Sequence, residues 1–170
     1  MIHPFTRTAK ILALTVGALA AFIAPRTYGQ LGLNEAQLSA RFGEPVLRSG
    51  DMAFEQGTVH KIGDRLSFRV EDLNLTVVLI GDRCVSLRYA KAGVLSDAQV
   101  RRVLEQNGGY AQWREQKTTA PRFARDWNRA DQVVAIWRQS TLTLSTPAYQ
   151  SARELAQNSP VNDTSAVSQL

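Results

Sequence analysis

Few residues of this chain have the types and spacing that acid–base or nucleophilic chemistry requires. The sequence contains two histidines, His3 and His60, and one cysteine, Cys84. A serine or cysteine nucleophile needs a base within hydrogen-bonding distance, and His60 is the only histidine beyond the N-terminal segment. No triad motif flanks it, which favours an exposed strand histidine over a catalytic one. One histidine and one cysteine give no metal-ligand spacing, so we expect no metal and no cofactor.

Paired carboxylates are the other chemistry considered, because two facing acids can hydrolyse a glycosidic bond. Glu71 and Asp72 are the only adjacent acids, and neighbours on a strand point to opposite faces of the sheet. The surrounding "VEDLN" favours a turn or a bulge instead. The sequence therefore predicts no catalytic residue. The alternative is a small cell-envelope hydrolase whose carboxylates the sequence does not pair.

A segment rich in tryptophan and arginine, residues 113–137, is the best candidate for binding. It contains all three tryptophans, and tryptophan and arginine concentrate binding energy at protein interfaces. "KTTAPRFARDWNRA" within it has no clean period and predicts a long loop. The predicted binding residues are Trp127, Arg122, Arg125 and Arg129. The alternative is that Trp113 and Trp137 lie in the core of the sheet and the arginines form a solvated rim.

Cys84 follows a predicted turn at Gly81-Asp82. Strict alternation along the next strand places its thiol on the face shared by Ser86 and Arg88, where it could pair with another chain. A buried cysteine, packed as a small apolar side chain, is the favoured interpretation because free cysteines are usually buried.

Two short helices with the same start signal are predicted. Asn34 and Ser96 are good N-caps, and each is followed three residues later by a glutamine, Gln37 or Gln99, in the capping-box position. Both predicted helices end at glycine, the first at Gly43 and the second at 108–109.

Strand-like sequence follows each helix. Residues 66–70 alternate apolar and polar side chains, and 73–80 is apolar enough for a central strand. Gly63-Asp64 and Gly81-Asp82 are predicted hairpin turns. In the second half, residues 132–145 resemble 75–88 with a constant offset, which indicates duplication.

The fold class predicted from these patterns is α+β, with two related units that each contain a short helix followed by an antiparallel β-meander. The predicted boundaries are 30–92 for the first unit and 93–150 for the second. The polar residues 151–170 predict a mostly disordered tail, in which "SARELAQN", residues 151–158, could add a terminal helix turn. Whether the two units share one sheet is not fixed by the sequence.

The N-terminus has the pattern of an export signal. Arg7 and Lys10 precede fourteen uncharged residues, Ile11–Ala24, a length typical of a signal peptide and short for a membrane span. Thr27 and Gly29 satisfy the small-residue rule for cleavage before Gln30, and cleavage after Ala20 or an uncleaved anchor are the alternatives.

Loss of the predicted signal peptide, residues 1–29, also changes the charge. That segment contains three basic residues and no acid, so its removal lowers the formal net charge from +5 to +2. A charge of that size does not indicate a nucleic-acid partner.

The stretch Leu38, Phe42, Gly43 and Pro45, followed by a meander in an exported chain, resembles the SmpA/OmlA-type domains of the outer-membrane-assembly lipoprotein class. The doubled unit is also similar to the β-lactamase-inhibitor-protein fold. The chain lacks the cysteine by which those lipoproteins are acylated. The resemblance implies a domain that binds proteins through an exposed sheet face, and it supplies no functional residue.

Taken together, the sequence predicts a secreted or periplasmic, non-enzymatic binding module for a protein or an anionic envelope component. We expect no nucleic-acid partner and no membrane span after cleavage. A self-associating structural envelope protein is a further alternative, beside the hydrolase.

The first prediction concerns processing. The exported protein should begin at Gln30, because Thr27 and Gly29 occupy the small-residue positions of the cleavage site. N-terminal sequencing of the exported product measures this directly. A product that keeps Met1 would contradict it.

Overall fold

The computed structural model describes residues 29–55, 58–108, 113–116 and 124–158. Three helices and one antiparallel sheet of eight strands occupy this part of the chain, which confirms the α+β class. The helices are α1 (Glu35–Phe42), α2 (Asp97–Gly108) and α3 (Pro147–Asn158). The strands are β1 (Leu47–Glu55), β2 (Thr58–Val70), β3 (Leu73–Ile80), β4 (Arg83–Ala90), β5 (Arg114–Glu115), β6 (Ala124–Asn128), β7 (Val134–Arg138) and β8 (Thr141–Ser145). None of the described helices is both long enough and apolar enough to cross a membrane.

The strand order is β1-β2-β3-β4-β8-β7-β6-β5. Strands β1 to β4 follow one another as a meander, and so do β5 to β8. The last strands of the two meanders, β4 and β8, pair with each other over five residue pairs, from Ser86↔Ser145 to Ala90↔Thr141. The chain therefore builds one continuous sheet.

The two predicted helix starts are confirmed. In α1 the Gln37 N–H donates to Asn34 Oδ1 at 2.9 Å, and the Asn34 N–H donates back to Gln37 Oε1 at 3.0 Å. The same reciprocal pair forms between Ser96 and Gln99 before α2. Helix α1 ends as predicted at Gly43, where φ is +82°. Helix α2 includes Gly108, and residue 109 lies outside the described residues.

One hydrophobic core lies between the sheet and the first two helices. Leu38 of α1 and Leu104 of α2 belong to the same buried cluster as Phe68, Leu87 and Trp137 of the sheet. The fully buried strand residues include Leu75, Leu87, Leu142 and Leu144, which come from both meanders. Burial of apolar area on this scale is the main favourable term in folding.

A buried polar network joins the start of the described chain to α2. The Gln30 N–H donates to Asn107 Oδ1 at 3.0 Å, and Asn107 Nδ2 donates to Gln30 Oε1 at 2.9 Å. Tyr89 Oη also donates to Gln30 Oε1. Gln30 is only 2% exposed and Asn107 is fully buried, so each buried amide has a partner inside the core.

The predicted turn at Gly63-Asp64 is wrong. Both residues lie inside β2, a strand of thirteen residues. The turn predicted at Gly81-Asp82 is confirmed, and so is the turn expected at positions 71–72. A Cβ at Gly63 would lie 2.2 Å from the Leu79 carbonyl oxygen. Gly63 therefore permits a close approach of the neighbouring strand. A glycine inside a strand can mark such an approach as well as a turn.

Cys84 is buried, with 1% exposure, as the favoured interpretation predicted. The face expected from alternation is wrong, because the register shifts between Val78 and Leu79 and leaves Val85 as an extra residue on β4. Cys84 pairs with Leu79 and shares the core face with Leu87. A single bulged residue moves every side chain before it to the other face.

The long loop predicted around Trp127 is also corrected. Residues 117–123, including Arg122, lie outside the described residues, but 124–128 form β6. Trp127 pairs with Ala135 on β7, is 7% exposed and belongs to the core. At the C-terminus, residues 151–158 form the last two turns of α3, in the stretch where a terminal helix turn was predicted. The predicted disordered stretch, 159–170, lies outside the described residues.

The core position of Trp127 predicts a large loss of stability on truncation. Trp127→Ala should lower the free energy of unfolding by about 3–5 kcal/mol, as buried tryptophans do. Phe54→Ala is the matched control, because Phe54 is 73% exposed and its truncation should change the free energy by less than about 0.5 kcal/mol. Chemical denaturation compares the two. Equal stability of both variants would show that Trp127 is not a core residue.

Burial also predicts that the Cys84 thiol is unreactive. Removal from water raises its pKa from 9.0 to about 12, so the thiolate fraction at neutral pH falls about a thousandfold. The pKa of Cys84 is higher in the folded state than in the unfolded state. The buried neutral thiol therefore contributes fully to stability at neutral pH, and this contribution is lost as the pH rises above the pKa of the unfolded state. A thiol-labelling reagent should react slowly with folded protein and rapidly in denaturant. Rapid labelling of the folded protein would contradict the burial.

Candidate functional site

The sheet has two different faces. One carries the apolar side chains that pack beneath α1 and α2. The other, which we call the open face, carries Arg65, Ser67, Thr76, Arg88 and Thr143, and α3 crosses one side of it. Residues paired across antiparallel strands point to the same face, so the strand register maps these side chains.

The register arranges the open face in rows that run across the strands. The central row is Leu47, Ser67, Thr76, Arg88, Thr143, Ile136 and Asp126, from β1 to β6. The row on one side is Ser49, Arg65, Val78, Ser86, Ser145, Val134 and Asn128. The row on the other side contains Arg69, Asn74, Ala90, Thr141, Arg138 and Ala124. Serine, threonine and arginine dominate this surface.

Arg88 lies at the centre of the open face. It pairs with Thr76 on β3 and with Thr143 on β8, so a hydroxyl flanks it on each side. Arg88 is exposed, and no carboxylate of the described residues lies within ion-pair distance of its guanidinium. A guanidinium presents five N–H donors in a planar fork that suits carboxylates and phosphates. The centre of this face can therefore accept an oxyanion.

Toward the β1 edge, Asp51 is held by two partners. The Arg65 guanidinium forms an ion pair and a hydrogen bond with Asp51 Oδ1, and Tyr149 Oη of α3 donates to Asp51 Oδ2 at 2.9 Å. Burial, followed by the bond to this carboxylate, raises the pKa of Tyr149 to about 12. The phenol therefore keeps its proton at neutral pH and continues to donate to Asp51. These contacts fix α3 against the sheet.

Toward the β6 side, Arg138 is paired with an acid as well. Its Nη1 lies 2.5 Å from Asp126 Oδ1, and its Nη2 lies 3.2 Å from Asp126 Oδ2, so the pair is bidentate. The carboxylate raises the pKa of Arg138 through these hydrogen bonds. Half of the Arg138 side chain stays exposed to solvent. Its guanidinium is therefore still accessible from the open face.

Helix α3 and the open face together enclose a groove of about 730 Å³. Of the described residues that line the groove, four are arginines and one is an acid, Asp51. The arginines are Arg65, Arg88, Arg138 and, on α3, Arg153. The charge of the lining is positive, and a groove of one sign concentrates ligands of the opposite sign.

Three of the predicted binding residues, Trp127, Arg125 and Arg129, lie on the other side of the sheet. Arg125 forms an ion pair with Asp97 of α2 at 2.8 Å, and its Cζ lies 5.1 Å from the centroid of the Trp137 ring. Arg129 is 7% exposed, donates to the Asn107 carbonyl and pairs with Asp131.

Two of the three predicted arginines are therefore structural cations, Arg125 over the Trp137 ring and Arg129 over the Trp113 ring. The third, Arg122, is outside the described residues. A binding role for the set stays a prediction.

His60 lies on β2, opposite Ala53 on β1, so the predicted strand position is confirmed. Its side chain is half-buried, where an exposed one was expected. Glu71 and Asp72 form the turn between β2 and β3, as expected for "VEDLN". In the part of the chain that the structure describes, no group of three or more histidines, cysteines and acids is placed to hold a metal ion.

The arginines of the open face were not among the binding residues predicted from the sequence. The polar members of the alternating strand at 66–70 and of β4 contain a signal, because Ser86 and Arg88 stand out from an apolar neighbourhood. The missing information was the pairing of β4 with β8, which brings Thr143 beside Arg88 from 55 residues along the chain.

No protein-family model matches this chain, and no curated protein sequence matches it. Among solved structures, the chain is similar to a cysteine-rich secretory protein from Staphylococcus aureus, with 9% sequence identity and a TM-score of 0.38. That match covers 69% of this chain and 45% of the staphylococcal chain, so it spans less than half of the neighbour's length. A similarity this distant assigns neither a fold family nor a function.

Proposed function

We propose that this chain is an exported, non-enzymatic binding module whose site is the open face and whose ligand is an anionic component of the cell envelope. The observation that carries the proposal is Arg88, an exposed guanidinium in the centre of a groove, without an ion-pair partner among the described residues. Hydrogen bonds between a guanidinium and an oxyanion are about twice as strong as neutral ones. A ligand with such a group would find its partner already in position.

The position of the groove, at the join between the two halves of the sheet, supports a binding site at Arg88. We infer that the chain contains two related units, each a capped helix followed by a four-stranded meander. The pair Arg88↔Thr143 then lies at the seam where the units join through β4 and β8. Ligand sites form preferentially where two units meet, because the contact creates a concave surface that neither unit has alone.

Export is the part of the proposal that rests on the sequence. Two basic residues, Arg7 and Lys10, precede the uncharged stretch Ile11–Ala24, and small residues follow at the expected cleavage site. A secreted or periplasmic protein meets envelope polymers, many of which are anionic. The ligand class and the location therefore agree.

The hydrolase alternative finds less support in this groove. Glycoside hydrolysis by acids needs two carboxyl groups that face the same bond. Asp51 is the only acid among the described residues that line the groove, and Arg65 and Tyr149 already occupy its oxygens. Binding needs no such pair, and the arginines and hydroxyls supply what it does need.

The test uses small oxyanions and the amide NMR spectrum of the labelled protein. Galacturonate and inorganic phosphate should shift the amide resonances of Thr76, Arg88 and Thr143, and Arg88→Gln should weaken binding at least about tenfold, because a charged hydrogen bond is lost. Arg101→Gln is the matched control, since Arg101 is exposed on α2 and changes the net charge equally. The proposal fails if Arg88→Gln binds both anions as tightly as the wild type does.

A further inference from the structure

The strand register places three arginines of the open face on one diagonal line across the sheet. Arg88 on β4 shares its row with Ser67 of β2, and Arg65 lies two residues from Ser67 toward one side. In the other direction the same row reaches Ile136 of β7, and Arg138 lies two residues from Ile136 toward the opposite side. The line therefore crosses the strands diagonally, with Arg88 at its middle.

The two steps along this line are equal. Each spans two strand spacings, about 10 Å across the sheet, and two residues, about 7 Å along a strand, so neighbouring arginines have Cα atoms about 12 Å apart. All three side chains line the groove. Equal spacing between like charges matches a ligand that repeats its own charge, such as a linear polymer.

Each outer arginine already binds a carboxylate, which shows that its guanidinium can accept one from this face. Arg65 binds the Asp51 carboxylate and Arg138 binds the Asp126 carboxylate side-on, while Arg88 has no carboxylate among the described residues. The side chains of Arg65 and Arg138 are 41% and 50% exposed, so each guanidinium still offers donors to a ligand. A polymer would bind most strongly at Arg88, where it displaces no internal partner.

Hydroxyls between the arginines favour a saccharide. Thr76 lies on the Arg65 side of Arg88, and Thr143 and Thr141 lie on the Arg138 side. Within the described residues, none of these three hydroxyls donates a hydrogen bond to the protein. Ser86 differs, because its Oγ–H donates to the Leu144 carbonyl. A threonine hydroxyl both donates and accepts, as sugar hydroxyls do.

We infer that the open face binds an extended acidic glycan, a chain of sugars that carry carboxylates, along the line Arg65–Arg88–Arg138. The inference rests on the proposed function, because it names the ligand class of the same groove. Several weak contacts along one chain add to a high apparent affinity when the spacing fits.

The experiment measures affinity against ligand length by fluorescence anisotropy. The probes are labelled oligogalacturonates from the dimer to the octamer, with the uncharged maltohexaose, poly-glutamate and polyphosphate as comparisons. We expect the affinity for oligogalacturonates to rise about tenfold or more from the dimer to a length that spans the outer arginines, and then to level off. The comparison polymers should bind at least about tenfold more weakly at matched length.

The variants separate the middle of the line from its end. Arg88→Gln should weaken every length about tenfold. The double change Arg138→Gln with Asp126→Asn removes an ion pair as a unit, and it should weaken the octamer about tenfold while the dimer changes less than twofold. Arg69→Gln is the control, because Arg69 is on the same face but off the line, where it donates to Asn74 at 2.8 Å. Circular dichroism checks that each variant is folded.

Three results would overturn the inference. The ligand would not be extended along the line if affinity did not depend on oligogalacturonate length. The same conclusion would follow if the Arg138/Asp126 double change left the affinity for the octamer unchanged. If poly-glutamate or polyphosphate bound as tightly as an oligogalacturonate of the same length, the ligand class would not be a glycan. If Arg88→Gln still weakens binding in those cases, the anion site at Arg88 is retained and only the glycan inference is rejected. If the Arg88→Gln variant binds every probe as tightly as the wild type does, both proposals are rejected.

Discussion

The pairing of β4 with β8 is the contact on which the rest of the structure depends. Five residue pairs join the two meanders into one sheet, and Leu87↔Leu144 and Tyr89↔Leu142 place the apolar side chains of both in one core. Without this pairing, β4 and β8 would each expose a strand edge with unpaired backbone groups. The same register sets Arg88 beside Thr143 on the opposite face. One set of backbone hydrogen bonds thus determines the core and the groove together.

The features that the sequence predicted well are local. The reciprocal contacts of Asn34 with Gln37 and of Ser96 with Gln99 form within single turns, so their residue types suffice to identify them. The faces of the strands were harder, because the bulge at Val85 reverses the alternation that assigned Cys84 to the polar side. Bulges depend on how two strands fit each other, and one strand alone does not reveal them.

The candidate site was beyond sequence reasoning for a related physical reason. The tryptophans and arginines of residues 113–137 suggested a binding segment, yet Arg125 and Arg129 each lie over a tryptophan ring and pair with an acid. The open-face arginines are scattered along the chain on β2, β4 and β7, and only the strand order aligns them. A non-local line of charges leaves no cluster in the sequence.

If the chain is exported as proposed, its buried segment at Gly29 and Gln30 has a consequence for the order of cleavage and folding. Gly29 is buried, and a Cβ in its place would lie 2.5 Å from Asn107 Oδ1, while Gln30 has both its backbone and side-chain amides bound within the core. A signal peptidase must hold the bond it cuts as an extended, accessible segment. If that bond joins Gly29 to Gln30, the folded domain shields it from the enzyme. Under the proposed export, cleavage must come first and folding second. A chain that folded too early would keep the proposed signal peptide and stay attached to the membrane.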